Sequence, residues 1–288
     1  MHKYLIGITL LLASLSSSAC LKNKDLYGIL PKNDLRIPVK SGLQTGIDRK
    51  AFNSIIDRAD ALYSPVVSAM DGRLVIKKNW RDDTVNAFAE KKGRLRLVEM
   101  FGGFARHPLT TEDVFMFVVC HEIGHHVGGE PLIHNMKELW ASNEGQSDYF
   151  AGTKCMRKLL INEDNISIMA KRDVPDLVKN KCALSFEASN EQALCQRISM
   201  AGFGLASIFR AIRKSDEISF ETPDPKIVWK TWFLHPIPQC RLDTYFQSAL
   251  CPVDYNEDPS YEDENIGSCS KKNGHTEGAR PLCWFAPR

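Results

Sequence analysis

His121-Glu122-Ile123-Gly124-His125, with Asn143-Glu144-Gly145-Gln146-Ser147-Asp148 downstream of it, is the part of the chain that decides how the rest is read. Four residues on an α-helix is just over one turn, so His121 and His125 share one face, their side chains about 6 Å apart. Two imidazoles there can close on one metal ion, and H-E-x-x-H on a helix is the pattern of zinc hydrolases. Glu122 adjoins the first ligand and serves as general base rather than as a ligand. A catalytic zinc site takes three protein ligands and keeps one position open, and two histidines plus a glutamate is a known set. Glu144 is the third ligand, and Zn²⁺, one per chain, the expected cofactor. Asp148 follows Glu144 by one helical turn. It is spaced to accept the other ring N–H of a ligating histidine, His121 in preference to His125.

The helix carrying the histidines is legible in outline. Thr110 or Thr111 serves as N-cap, with Glu112 and Asp113 in the first turn. Val114, Phe115, Phe117, Val118 and Val119 make it a buried helix, and Gly128-Gly129 ends it. Gly124 inside a helix costs about 1 kcal/mol against alanine, so a close backbone contact or the metal site must require the missing side chain. His126 points to another face and reads as a packing or hydrogen-bonding residue. His134 reads as a solvated loop histidine.

Three stretches resemble the M48 family of metallopeptidases: Val85-Asn86-Ala87-Phe88-Ala89, Val118-Val119-Cys120-His121-Glu122-Ile123-Gly124-His125, and Glu144 through Asp148. A looser fourth, His235-Pro236-Ile237-Pro238-Gln239-Cys240-Arg241, is similar to the family's late H-P-x-x-x-x-R, with Cys240 unusual there. The resemblance covers roughly residues 45 to 250. It implies an α+β, mostly helical zincin-type fold with a small antiparallel β-sheet before the H-E-x-x-H helix. It also implies a zinc-dependent endopeptidase whose polypeptide substrates add as strands near residues 85–98. In that reading His235 donates a hydrogen bond to the developing oxyanion. Arg241 supports the site or, alternatively, pairs with a carboxylate.

The residues fit a sheet at that place. Residues 73–77 and 85–89 read as strands, Lys91-Lys92-Gly93 as a turn, and residues 94–98 alternate with period two. The basic turn reads as a solvated hairpin tip. Around this, residues 47–62 read as a helix ended near Pro65, 138–162 as the helix of Glu144, and 191–213 as a third long helix. Asn190-Glu191 echoes Asn143-Glu144 but lacks the following aspartate.

The ends point to export. Lys3, the apolar residues 4–15 and Ser16-Ser17-Ser18-Ala19 have the form of a signal peptide over residues 1–19. Cys20 then stands where a bacterial lipoprotein carries its lipid anchor; a soluble secreted form is the alternative. Residues 20–45 read as a tether and lead-in, 46–251 as the peptidase-like domain and 252–288 as a cysteine-containing extension. Nine cysteines less Cys20 leave eight, an even number suited to disulfides in an oxidising compartment such as the periplasm. Cys240, Cys251, Cys269 and Cys283 are expected to staple the carboxyl end and Cys182–Cys195 to close a loop. Cys120 and Cys155 remain as a bridge or as two buried thiols.

A net charge of +2, with no basic fold motif, indicates no nucleic-acid partner. No later segment is long and apolar enough for a membrane helix. The expected substrates are unfolded or misassembled cell-envelope proteins. Two rivals stay open: a zinc-containing binding or chaperone-like module that does not cut, and an amidase acting on cell-wall peptides.

Overall fold

The computed structural model describes residues 28–39, 46–133 and 139–288. The expectations for the 1–19 leader, for Cys20 and for His134 lie outside the described residues.

Helix α1 (Arg49–Ala69) begins at Asp48, whose side chain accepts the Ala51 N–H. Its buried residues Phe52, Ile55, Ile56, Ala59, Tyr63 and Val67 recur every three or four positions, so one stripe faces the core. The helix does not end near Pro65 but runs one further turn through it. Proline removes one helical hydrogen bond. Burial of Val67, and the bonds that Met70 and Gly72 donate to its carbonyl, hold the last turn in place.

Strands β1 (Arg73–Asn79), β2 (Ala87–Lys92) and β3 (Leu95–Phe101) form one sheet in the order β1-β3-β2. The expectation of an antiparallel sheet is corrected here. β2 pairs antiparallel with β3, Ala87 opposite Met100, but β1 pairs parallel with it, Arg73 opposite Leu95, so the sheet is mixed. The tight turn at Gly93 (φ 57°) forces β2 and β3 to be antiparallel. β1 reaches the other edge of β3 while packed on α1, which immediately precedes it. Lys91 and Lys92 belong to β2, and Val85 and Asn86 lie before it.

A short helix α2 (Gly102–Ala105) leads to α3 (Glu112–Val127), capped by Thr111. Every α3 residue from Asp113 to Val127 is buried, between α1, the sheet and the helices that follow. Those are α4 (Glu144–Phe150), continued through a π-helical turn (Ala151–Cys155) into α5 (Met156–Leu160), then α6 (Asn165–Met169), α7 (Asp176–Ser185), α8 (Ser189–Arg213) and α9 (Pro238–Leu250). The Glu144 helix starts at Asn143, not at 138. The Asn143 side chain accepts the Gln146 N–H at 2.8 Å, while Leu132 bridges Ser142 in an extended arrangement just before it.

Four disulfides close within the described residues: Cys120–Cys155, Cys182–Cys195, Cys240–Cys283 and Cys251–Cys269. They fit an oxidising, exported setting. The first ties α3 to the π-turn, so Cys120 and Cys155 are a bridge rather than two thiols. Among the described residues no helix is long and apolar enough to cross a membrane. The carboxyl-terminal segment folds back onto the domain. Trp284 is fully buried, donates its indole N–H to Thr244, and lies where a side chain on Gly145 would be.

Gly124 has its explanation in the approach of α3 to α4. A Cβ there would meet Phe150 Cδ1 at 3.0 Å and the Ser147 Cα at 3.1 Å. Helix propensity alone favours Gly124→Ala by about 1 kcal/mol. Overpacking costs about 1–3 kcal/mol, and Ser147 is backbone that cannot swing aside. We expect Gly124→Ala to lower the urea midpoint of unfolding; a raised midpoint would show that the two helices can separate freely.

Candidate metal centre

α3 and α4 pack side by side and bring His121, His125 and Glu144 together. One ligand atom from each lies within 4.8 Å of the others, and all three side chains are fully buried. The two imidazole rings are 4.8 Å apart between centroids and nearly perpendicular, at 87°.

Each ring is fixed from behind. His121 Nδ1 lies 2.7 Å from Asp148 Oδ1, and its Nε2 faces Glu144 Oε2 at 3.4 Å. His125 Nδ1 lies 2.8 Å from the Ser142 carbonyl, which can only accept, so its Nε2 turns a lone pair inward, 3.7 Å from Glu144 Oε1. Ser147 Oγ is 3.0 Å from the same Nδ1. Asp148 and His121 thus meet as the one-turn spacing suggested. The supports of His125 are a backbone carbonyl and a serine, neither with a distinctive sequence signal.

A cation fits this pocket by the condition of its donors. Both carboxylate oxygens of Glu144 and both ring nitrogens of His121 are buried without a hydrogen-bond partner. A buried carboxylate left so is costly unless a positive charge compensates it. Burial acts against the Glu144 carboxylate, yet His235, His121 and His125 outweigh it and hold the group down at about 2. Burial likewise works against charge on His121, but Asp148 and Glu144 push it up to about 9. The His125 imidazole is pulled down to about 4 by burial despite Glu144. The pocket therefore calls for positive charge, and two imidazole nitrogens and a carboxylate are the donors for a metal ion. A second trio, Asp224 with Cys240 and Cys283, has its two sulfurs joined in a disulfide and is no such site.

Glu122 lies beside the trio on α3, fully buried. Burial raises its carboxyl well above the ordinary range, against the pull of His121. His235 comes from the loop before α9. Its Nε2 lies 2.6 Å from the Gly28 carbonyl oxygen, to which it donates, and 3.3 Å from Glu144 Oε2. Arg241, on α9 and fully buried, donates to Asp148 Oδ1 at 2.5 Å, to the Ile29 carbonyl at 3.0 Å and to the Tyr245 hydroxyl at 2.9 Å. The two readings of Arg241 are thus one arrangement, because its carboxylate partner is the one that holds His121. His126 stays outside the trio, bonded to the Leu97 carbonyl and stacked on Trp140. Tyr245 and residues 28–30 adjoin this centre through Arg241 and His235, and the motif reading gave them no part in it; Asn86, from the first motif stretch, bonds Leu30.

The chain was compared with protein-family models, with curated proteins and with solved structures, and nothing matched.

Asp148 accepts from Arg241 and lies 2.7 Å from His121 Nδ1, so its charge backs a candidate metal-holding residue and balances a buried guanidinium. Asp148→Asn should weaken metal binding about 10–100-fold in a chelator-competition titration and destabilise the fold by about 3–5 kcal/mol through the uncompensated Arg241. Unchanged metal affinity would remove Asp148 from the centre.

Proposed function

We propose that the chain is a zinc-dependent endopeptidase. The observation that carries this reading is the buried trio of His121, His125 and Glu144 with Glu122, a carboxylate outside that trio, beside it. Two nitrogens and one oxygen favour zinc among the common divalent ions. A cation held by these three residues supplies Lewis-acid polarisation of a carbonyl and acidifies a water.

The rest of the chemistry belongs to the chain. Glu122 takes a proton from the attacking water and delivers it to the leaving amine, so the hydroxyl adds to the acyl carbon and the amine departs neutral. Its raised proton affinity suits a group that must both accept and return a proton. His235 directs an Nε2–H at a backbone carbonyl oxygen next to Glu144, where a donor to a developing oxyanion belongs. Arg241 and Asp148 keep His121 in the tautomer that offers Nε2. The similarity of the four motifs to the M48 family supports the same reading and makes unfolded or misassembled envelope proteins the proposed substrates. The leader and Cys20 make the mature chain a periplasmic lipoprotein in this proposal.

Purified mature protein is expected to hold about one zinc per chain and to cut an unfolded protein. Glu122→Gln should keep the metal and lose activity by about 10²–10⁴-fold. Equal cutting by both proteins would end the peptidase reading, and stoichiometric capture without cutting would favour the binding module. His235→Ala should lower kcat about 10²–10³-fold with KM nearly unchanged; a change confined to KM would make His235 a binding residue only.

A further inference from the structure

Gly28-Ile29-Leu30 lies along the outer edge of β2, beside the metal centre. Gly28 bridges Phe88 in antiparallel fashion, and the Ile29 N–H donates to the Ala87 carbonyl at 3.1 Å. The remaining backbone groups are held mostly by side chains. His235 donates to the Gly28 carbonyl at 2.6 Å and Arg241 to the Ile29 carbonyl at 3.0 Å. The Asn86 side chain accepts the Leu30 N–H at 3.0 Å and donates to the Leu30 carbonyl at 3.1 Å. Such contacts hold a peptide backbone whatever its side chains; of the three residues Gly28 alone makes a strand-like bridge, after which the chain bends at Ile29 and Leu30.

The side chains set a register. Ile29 and Leu30 are fully buried. A Cβ on Gly28 would come within 2.7 Å of the Phe88 ring and 3.0 Å of Asn86 Oδ1. The start of the β2 edge at Ala87 and Phe88, within the 85–98 stretch where an incoming peptide was expected to add, is therefore taken by the chain itself, and the donor of His235 is engaged.

We propose that Gly28-Ile29-Leu30 is the groove's own peptide ligand, which closes the site to other chains and displays the substrate it accepts. That substrate is a peptide with glycine at the residue whose carbonyl His235 holds and a large aliphatic residue directly after it. The proposal rests on the hydrolytic reading only in treating the contacts of His235, Arg241 and Asn86 as substrate contacts.

The test uses the full mature chain, metal-loaded and carrying Glu122→Gln so that nothing is consumed. The probe is a labelled octapeptide with the sequence of residues 26–33, Leu-Tyr-Gly-Ile-Leu-Pro-Lys-Asn. Excess probe should speed hydrogen exchange at the Ile29 and Leu30 amides by displacing the segment. A probe with valine for the glycine, or aspartate for the isoleucine, should do so about tenfold less effectively. Opening the groove with Ile29→Asp, or with Gly28→Val if the first variant melts early, should tighten probe binding about tenfold or more, because the binding-competent fraction rises. Unchanged exchange at saturating probe, or indifference to the glycine and isoleucine substitutions, would overturn the proposal. These arms stand even if no hydrolysis is ever seen. Conversely, Glu122-dependent cutting with no glycine–aliphatic preference would sink the inference and leave the peptidase reading intact.

Discussion

Glu122, Glu144 and Asp148 are buried together; burial raises the Glu122 carboxyl, while the imidazoles of His235, His121 and His125 hold Glu144 down against the same burial. Arg241 answers Asp148, and Asp148 in turn answers His121. Glu144 faces the His121 and His125 imidazoles, with no hydrogen bond to its oxygens. A cation among these donors would compensate its buried charge. The surrounding helices each bring some of these polar groups to the same point.

The close fit of α3 and α4 does that work. Gly124 removes the side chain that would hold the helices apart, and the Cys120–Cys155 bridge ties α3 to the π-turn that continues α4. Trp284, from the far end of the chain, fills the space beside Gly145 and so backs the first turn of α4, where Glu144 sits. The Cys240–Cys283 bridge anchors that tryptophan's segment to the start of α9, the helix that carries Arg241. The carboxyl-terminal segment is thus part of the wall of the centre.

Several features could be read without coordinates because they are local. The one-turn spacing of His121 and His125, and of Glu144 and Asp148, places side chains on one helical face in any fold. The cap at Thr110 or Thr111, the acidic first turn and the apolar run from Val114 to Val119 also depend only on neighbours. Other readings went astray where distant contacts intervened. Pro65 did not stop α1, because Val67 found a buried place beyond it. Residues 139–143 have a composition a helix would tolerate, but pairing with residues 132 and 133 draws them out. The parallel pairing of β1 with β3 has no mark in either strand.

The sequence by itself determined which side chains share a helical face, hence the two imidazoles, the adjoining Glu122 and the carboxylates of the second helix. It also determined, through an even set of cysteines, that bridges would form, though not every partner. Tertiary structure alone decided the order of the sheet, the backbone carbonyl that holds His125, and the seating of residues 28–30 against His235 and Arg241. The physical reason is range. A helical repeat is set by bonds spanning four residues, whereas a strand edge or a carbonyl oxygen accepts any donor that the fold brings to it, and nothing in its own side chain records which.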